Sequence, residues 1–275
     1  MAGRGTGRHT LSDFSSIARI YRQTATAQKS AAERLFWMLG VERKDDVLDL
    51  GCGTGHLAQE MRVLTDGRVV GVDPSPEMLA LAHEAAPEGI EFITGFAEEL
   101  DMPGEFDAIL CNSAFQWFED EQKAMANCFA ALRPGGRMAM QAPARHDYCP
   151  TFVRAVGTLA ADPRTSETWA RFHTPWTFYE TADEYGRLFT DAGFALVSAE
   201  IEELREHATP ERAVDMFESG AAAGYLNPAC YEDGFSEGYA EAARELILRD
   251  FAAQVAADGH IELLFYRVYV LARKP

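Results

Sequence analysis

The sequence predicts an α/β fold with a doubly wound, mostly parallel sheet, and three observations lead to this prediction. Segments with strand-like and helix-like patterns alternate between about residues 46 and 141. The strand-like segments are short and mostly apolar, as expected of buried strands. A glycine-rich turn joins the first of them directly to a helix-like segment. These features indicate a sheet with helices on both faces, in which ligands bind at the carboxyl ends of the strands.

The first predicted element is a helical region at about residues 12–39. Apolar or aromatic side chains recur along it, at positions 14, 17, 20, 21, 35, 36 and 39. Because this region is too long for a single surface helix, a break is expected at residues 24–28. Residues 1–40 are therefore assigned to an N-terminal helical cap.

The alternation that defines the core lies within residues 41–145. Apolar runs bounded by glycine, proline or acidic residues are typical of strands, and helical patterns between them indicate parallel pairing. The strands of this core are predicted at 46–50, 68–72, 90–94, 106–111 and 136–141. Its helices are predicted at 54–64, 76–86 and 119–132.

The alternation stops after about residue 143, where aromatic residues and histidine become frequent. An insertion of this length can roof a site at the edge of the sheet, so we expect a helical lid. The lid or substrate region is assigned to residues 146–192 and 205–258, with helices at 209–220 and 231–256. The terminal strands that complete a seven-stranded sheet are assigned to residues 193–204 and 259–275, with strands at 194–200 and 262–272.

The turn after the first strand has glycine at every second position, at Gly51, Gly53 and Gly55. Without Cβ atoms, the backbone there can turn tightly and approach a ligand. The following helix presents unpaired N–H groups to a carboxylate or phosphate. Asp73 ends the second strand about 20 residues later, where a carboxylate can accept hydrogen bonds from both hydroxyls of a ribose. The pattern therefore predicts a cofactor site.

The glycine spacing and the position of Asp49 favour a cofactor with a cationic group. Nicotinamide dehydrogenases carry Gly-x-Gly-x-x-Gly, whereas this chain has Gly-x-Gly-x-Gly followed by His56. Asp49 precedes the first glycine by two residues and is badly placed for a pyrophosphate. A carboxylate there suits the ammonium of an amino acid through a charge-assisted hydrogen bond. A dehydrogenase remains an alternative at this point.

Five segments in order resemble the motifs of the class I S-adenosylmethionine-dependent methyltransferases of the type 11 kind. Residues 49–55, Asp-Leu-Gly-Cys-Gly-Thr-Gly, resemble motif I. Residues 73–79 resemble the acidic loop after strand two, and residues 95–100 the loop after strand three. Residues 106–112 resemble strand four, and residues 132–138 the turn into strand five. The resemblance implies a Rossmann-like class I methyltransferase fold with a seven-stranded sheet and an α-helical lid.

The same resemblance implies S-adenosylmethionine as the cofactor and S-adenosylhomocysteine as the product. The residues that it implies as cofactor-binding are Tyr21, Gln28, Asp49, Gly51, Cys52, Gly53, Asp73, Pro74, Met78, Phe96, Ala97, Glu98, Asn112, Ser113 and Trp117. One position departs from the family pattern, because Phe96 stands where such families often carry Asp. The adenine edge is therefore expected to meet the Ala97 backbone N–H and Glu98, with Phe96 stacked on the ring.

Outside these motifs, residues 21–28, 112–117, 224–226 and 265–270 resemble the trans-aconitate and malonyl-carrier-protein carboxyl methyltransferases. Both groups methylate carboxylates, so the resemblance implies O-methylation of a small-molecule carboxylate by in-line displacement. A carboxylate is already ionised at pH 7, and such a reaction needs no general base. Two alternatives stay open: an acceptor hydroxyl or carbon centre of a natural-product precursor, and a noncatalytic S-adenosylmethionine-binding protein.

Candidate acceptor-site residues follow from the same reasoning. They are Gln116, Trp117, Trp176, Tyr179, Tyr225 and Arg267. Arg267 is the strongest candidate, because a charge within an apolar strand is costly unless it has a partner or reaches solvent; its alternative is an outward-facing arginine on an edge strand. If the acceptor needs a base, His146 and His173 are the candidate catalytic residues.

Composition narrows the classes of partner. The chain has 43 acidic and 25 basic side chains and a formal net charge of -18, which disfavours a nucleic-acid partner. We expect no membrane partner, because no apolar run approaches the roughly 20 residues that cross a bilayer. With no signal-like apolar segment near the start, a cytoplasmic location is expected.

The five cysteines are scattered and include no Cys-x-x-Cys pair. Neither a disulfide framework nor a metal site is therefore predicted. The expected partner is a small-molecule acceptor, and the expected state is a monomer or homodimer.

Overall fold

A computed structural model describes residues 26–86 and 88–275 of the 275-residue chain. Its sheet has seven strands in the order β3-β2-β1-β4-β5-β7-β6. The first five strands pair in parallel, and β7 runs antiparallel to both β5 and β6. The strands are β1 (Val47–Leu50), β2 (Val69–Asp73), β3 (Ile90–Thr94), β4 (Phe106–Asn112), β5 (Leu132–Pro143), β6 (Ala195–Ala208) and β7 (Ile261–Arg273). The predicted α/β fold with a mostly parallel seven-stranded sheet is confirmed.

Ten α-helices lie within the described residues. They are α1 (Thr26–Leu39), α2 (His56–Leu64), α3 (Pro76–Ala85), α4 (Glu121–Ala131), α5 (Pro150–Gly157), α6 (Ser166–Trp169), α7 (Ala182–Asp191), α8 (Pro210–Glu218), α9 (Ala222–Tyr225) and α10 (Tyr239–Ala253). Four of them begin at a capping side chain, which is Ser75, Asp120, Thr181 or Thr209. Ser75, for example, accepts the Met78 N–H at the start of α3, which satisfies a donor that the helix itself leaves unpaired. Of the predicted N-terminal helical region, residues 12–25 lie outside the described residues.

Three elements differ in length from their predictions. β5 begins at Leu132 rather than at residue 136, because Leu132 already pairs with Phe106 of β4. The register then shifts, and regular pairing resumes at Arg137. β6 continues to Ala208 rather than 200, pairing with β7 along its length, although its glutamates and arginine are poor strand formers. α10 begins at Tyr239 rather than 231, since the residues before it include left-handed backbone ending at Gly238, which no α-helix accommodates.

Apolar side chains on the two faces of the sheet form separate clusters. On one face, α1 and α2 contribute Leu35, Leu57 and Met61 to a cluster with β1. On the other face, α4 and α7 pack Met125 and Phe189 against β4, β5 and β7. Burial of both faces is what an open parallel sheet requires. The carboxyl ends of β1, β2 and β4 are left open to a cavity.

The segments after β5 contain an apolar core of their own. It joins α5, α8 and α10 through close aromatic contacts, with the ring centroids of Phe152 and Phe217 5.4 Å apart. Phe251 packs 5.7 Å from each of them. The cluster also includes Phe265 of β7. We call the segments 144–181 and 209–260 the lid, because they cover the carboxyl ends of the parallel strands. The helix α7 packs on a face of the sheet instead.

The first helix is held against the far side of the sheet by Arg34. Its guanidinium forms ion pairs with Glu200 and Glu202 of β6 and lies 4.2 Å from the ring centroid of Tyr269 in β7. A cation placed over an aromatic face is attracted to it. Arg34 therefore connects α1 to the two antiparallel strands of the sheet.

Candidate active site

The glycine turn after β1 is built from left-handed backbone. Gly51 has φ +75°, and a Cβ there would lie 2.2 Å from the Cβ of Ala114 in the loop after β4. Gly53 has φ +53°, but a Cβ there would meet no atom within 4 Å. Gly51 is thus required for close packing of two loops, whereas the absence of a side chain at Gly53 leaves open space facing the cavity.

Asp73 holds the turn from the end of β2. Its Oδ2 accepts a hydrogen bond of 2.8 Å from the Gly53 N–H, and its Oδ1 accepts one of 2.9 Å from the Ser75 N–H. Burial raises the pKa of this carboxyl above its ordinary value, and the two backbone donors oppose that effect. Asp73 is therefore a fixed carboxylate at the cavity surface, with lone pairs that remain available to a ligand.

Asp49 is buried in β1, next to the turn. Only 1% of the residue is exposed, and its Oδ2 has no hydrogen-bond partner among the described residues. Desolvation, followed by the nearby charge of Asp73, raises the pKa of Asp49 to about 7. A buried acceptor without a partner is rare in folded proteins. Asp49 therefore favours either a proton or a cationic group close to it.

This pKa predicts a pH-dependent effect of Asp49→Asn on stability. In the unfolded chain the group titrates near pH 4, so the folded protein holds an extra proton between about pH 4 and 7. The stability linked to that proton is present below pH 4 and is lost as the pH rises through about 7. We expect the melting temperature of the cofactor-free variant to rise relative to wild type as the pH rises, so that the offset at pH 8 exceeds the offset at pH 5 by roughly 2 °C or more, as measured by calorimetry. An Asp66→Asn control, at an exposed site, should show no such change between the two pH values. An equal offset at both values would contradict the pKa assignment.

A cavity of about 260 Å³ lies between the carboxyl ends of the parallel strands and the lid. It is lined on one side by loops after β1, β2, β3 and β4, and on the other by the lid and β7. The predicted cofactor and acceptor residues that line it are Gly51, Gly53, Asp73, Pro74, Met78, Phe96, Ala97, Glu98, Asn112, Ser113, Gln116, Trp117, Trp176 and Arg267. The structure thus brings residues from distant parts of the chain to a single site.

The loop after β4 is held in a strained conformation beside the cavity. Ser113 has φ +55°, which is unusual for a residue other than glycine. Its Oγ donates to Gln141 Oε1 over 2.9 Å, and its carbonyl oxygen accepts from Gln116 Nε2 over 2.8 Å. The second bond fixes Gln116 against the cavity, where its Oε1 has no partner within the described ranges 26–86 and 88–275.

Several predicted residues do not line the cavity. Asp49 lies beneath its surface, and Cys52 is buried against the backbone of Gly71. The Tyr179 hydroxyl donates to Glu121 Oε1 over 2.9 Å. Tyr225 lies behind Trp176, and the two ring centroids are 4.9 Å apart.

The side chains of two predicted cofactor-binding residues lie outside the described part of the chain. Tyr21 lies outside the described residues. Gln28 is within α1, but its side chain lies outside the described part of the chain. Their expected role in closing over the cofactor stays a prediction.

The two candidate histidines lie on the surface. The His146 side chain is 76% exposed, and its Nδ1 lies 2.6 Å from Glu180 Oε1. His173 is also exposed, and its backbone N–H donates to the Cys230 carbonyl oxygen. Neither imidazole lines the cavity, so neither is positioned to accept a proton from a molecule bound there.

The sequence reasoning missed several lid and β7 residues that line the cavity. They are Tyr148, Phe152, Met216, Ser219, Gly220, Ala221, Phe265 and Tyr266. The aromatic richness of residues 143–189 was a signal that this region covers a site. It did not indicate which rings face inward, because that depends on how the lid packs.

Glu98 has a structural partner that the sequence did not reveal. Its Oε1 accepts hydrogen bonds from the backbone N–H groups of Glu119 and Asp120, at 2.8 and 3.3 Å. Glu98 therefore connects the loop after β3 to the start of α4 as well as lining the cavity.

The comparisons with known proteins agree with this geometry. A family model described as "Methyltransferase domain" matches residues 47–136. A trans-aconitate 2-methyltransferase from Mycobacterium sp. (strain KMS) is 30% identical over 241 residues, covering 86% of this chain and 90% of that protein. The chain is a class I S-adenosylmethionine-dependent methyltransferase. Its methyl donor is S-adenosylmethionine, and the dehydrogenase and noncatalytic alternatives are set aside.

Two further likenesses cover different parts of this methyltransferase. A malonyl-[acyl-carrier protein] O-methyltransferase from Acetivibrio thermocellus is 32% identical over 130 residues, which are 46% of each protein. The solved structure of the YcgJ protein from Bacillus subtilis has a TM-score of 0.59 and 19% identity, covering 90% of this chain and 98% of that one. The second likeness shows the shared fold.

The residues of the cavity fit the methyl donor of this methyltransferase. The space above Gly53 admits a ligand close to the backbone. Asp73 offers fixed carboxylate oxygens suited to two ribose hydroxyls, and Met78 gives an apolar surface to a purine. When bound there, the donor supplies a methyl group activated by its positive sulfur. Within the described residues, no helix is long and apolar enough to cross a membrane.

Proposed function

We propose that this methyltransferase esterifies a carboxylate of a small organic acid. The observation that carries the proposal is the position of Arg267. This arginine is only 8% exposed and lines the cavity from β7. A guanidinium matches a carboxylate with two parallel N–H donors, and such charged hydrogen bonds are strong where water is excluded.

The strand register supports an inward position for Arg267. It pairs with Pro143 of β5, which also lines the cavity, and with Glu202 of β6. Its guanidinium carbon lies 5.5 Å from the ring centroid of Phe265, a residue of the lid core. Arg267 therefore lies in the sheet interior rather than on its solvent edge, in contrast to the alternative of an outward-facing side chain.

The remaining cavity residues also favour an acceptor that needs no base. Among the described residues that line the cavity there is no histidine or lysine. Burial raises the pKa of Tyr148 well above its ordinary value, so its hydroxyl stays protonated. A carboxylate oxygen uses its own lone pair to form the new O–C bond, while the S–C bond breaks and its electron pair stays on sulfur. No proton moves in this step, and the product is a neutral ester.

The enzyme then contributes mainly by alignment and exclusion of water. Holding two reactants in a near-attack geometry lowers a barrier by about 7 to 11 kcal/mol. The apolar lid side of the cavity keeps water away from the acceptor oxygen. The names of the two relatives, which specify trans-aconitate and malonyl-[acyl-carrier protein], also support a carboxylate.

Gln116 favours a second candidate, methylation of a hydroxyl. Its buried Oε1 faces no donor in the part of the chain that the structure describes, and a hydroxyl in the acceptor would supply one. To separate the candidates, the enzyme is incubated with S-adenosylmethionine and matched pairs of acids and alcohols. Mass spectrometry of the products then reports ester or ether. Formation of esters supports the proposal, and formation of ethers alone supports the second candidate.

Substitution of the histidines gives a further prediction. If no base is needed, His146→Ala and His173→Ala should keep turnover of the acid within about threefold of wild type, because neither imidazole lines the cavity. Initial rates at saturating acceptor provide the measurement. A loss of about 100-fold or more in either variant is the size expected for a lost general base and would contradict the proposed mechanism.

A further inference from the structure

The lid side of the cavity is an aromatic wall, formed by Tyr148, Phe152, Trp176, Phe178 and Phe265. Its rings pack against one another. The ring centroids of Tyr148 and Phe178 are 5.3 Å apart with the rings stacked, and those of Trp176 and Phe178 are 6.1 Å apart. Trp117, from the loop after β4, meets Trp176 edge to face at 5.5 Å. The wall is thus a continuous apolar surface.

The aromatic wall is fixed by the protein behind it. A Cβ at Gly224 would lie 2.3 Å from Cζ2 of Trp176, so this indole rests directly on the backbone of α9. Phe152 and Phe265 belong to the lid core, with ring centroids 5.7 Å apart. Close packing of this kind holds side chains in one arrangement. The wall therefore presents the same apolar surface to any acceptor.

The charges around the cavity are unbalanced. Of the described lining residues, Arg267 is the only one with a cationic side chain, whereas Asp73, Glu98 and Glu119 carry carboxyl groups. One guanidinium can pair with one acceptor carboxylate. A second or third carboxylate on the acceptor would be buried against aromatic rings without a cation, which is strongly unfavourable.

From the aromatic wall and from Arg267 as the one cationic side chain among the described lining residues, we propose that the acceptor is a monocarboxylate with an apolar body, rather than a di- or tricarboxylate. This inference rests on the proposed function. Arg267 holds the carboxylate, and the rest of the acceptor lies along the aromatic wall. The acceptor class therefore differs from the tricarboxylate named for the Mycobacterium relative.

Matched pairs of free acids test the inference. The full chain is assayed with butanoate, hexanoate, octanoate and decanoate, with 4-phenylbutanoate, and with decanedioate and trans-aconitate. Each methylene buried against the wall is expected to raise kcat/KM by up to roughly fourfold. Decanedioate, which has a second carboxylate in place of the terminal methyl group of decanoate, should be at least about 100-fold poorer. A preference for decanedioate or trans-aconitate over decanoate would overturn the inference while leaving the proposed function in place.

Binding gives a readout that does not depend on turnover. Decanoate and decanedioate are titrated against the enzyme with S-adenosylhomocysteine present, using tryptophan fluorescence or calorimetry. Tighter binding of decanoate supports the inference, and equal or weaker binding contradicts it. If acids bind but only alcohols are methylated, the proposed function fails instead.

Variants of the aromatic wall separate its role from that of the arginine. Trp176→Leu, or Phe178→Leu if the first variant does not fold, should flatten the dependence of kcat/KM on chain length. The matched control is Trp37→Ala, which removes a tryptophan that is 83% exposed on α1. An unchanged chain-length dependence in both wall variants would show that the acceptor does not lie along the wall.

Discussion

Replacement of Arg267 by leucine is expected to lower kcat/KM for an acid acceptor by at least about 100-fold, with affinity for S-adenosylmethionine unchanged within about twofold. The reason is that the acceptor carboxylate would enter a largely buried site without its cation. Truncation of one partner in a buried, hydrogen-bonded charge pair typically costs about 2 to 5 kcal/mol. Steady-state kinetics with the preferred acid, together with calorimetric titration of the cofactor, measure the two quantities.

Two control variants make the result for Arg267 interpretable. Arg267→Lys keeps the charge but loses the planar pair of donors, so it should retain part of the activity. Arg273→Leu removes an exposed arginine from the other end of β7 and should behave as wild type. Thermal unfolding of each variant checks that the sheet is intact. If Arg267→Leu folds and keeps normal kcat/KM, the guanidinium does not bind the acceptor.

The second large effect is expected for Asp73→Asn, which should raise the dissociation constant of S-adenosylmethionine by roughly 10- to 100-fold. The carboxylate accepts the Gly53 N–H and remains available to a ribose, and hydrogen bonds to a charged group contribute about 1.5 to 3 kcal/mol each. The amide of asparagine offers one acceptor oxygen in place of two. Calorimetric titration of the variant gives the change directly.

A surface aspartate provides the comparison for Asp73. Asp66→Asn breaks only an exposed ion pair with Arg43, which is expected to contribute little. Its cofactor affinity should match wild type. Wild-type affinity in Asp73→Asn as well would remove the carboxylate from the list of cofactor contacts.

The core of the fold could be predicted because its signals are local. The strand at residues 90–94, for instance, coincides with the observed β3. Glycine at position 51 is needed for a left-handed turn. Asp73 lies at the end of a strand that its own apolar residues define, independently of distant parts of the chain. Residues whose role depends on nearby positions in the chain can therefore be identified from the sequence alone.

The lid could not be predicted in the same way, because its residues act through distant contacts. Phe178 and Tyr179 are adjacent in the chain, yet the first lines the cavity and the second bonds to Glu121 outside it. Similarly, Glu98 accepts hydrogen bonds from backbone N–H groups that lie about 21 residues later in the chain. Only the packed arrangement decides which of two similar side chains faces a ligand.

The long edge strand β6 also bears on how this protein behaves at high concentration. One side of the strand pairs with β7, while the other presents backbone groups that another chain could extend by adding a strand. Exposed charges at Glu203 and Arg205 lie along this edge. Charged side chains oppose strand addition, and the net charge of -18 adds repulsion between copies. Leu196 and Val197, near the start of the strand, are exposed and apolar, but the register shift between Leu196 and Ser198 interrupts the regular edge that strand addition needs.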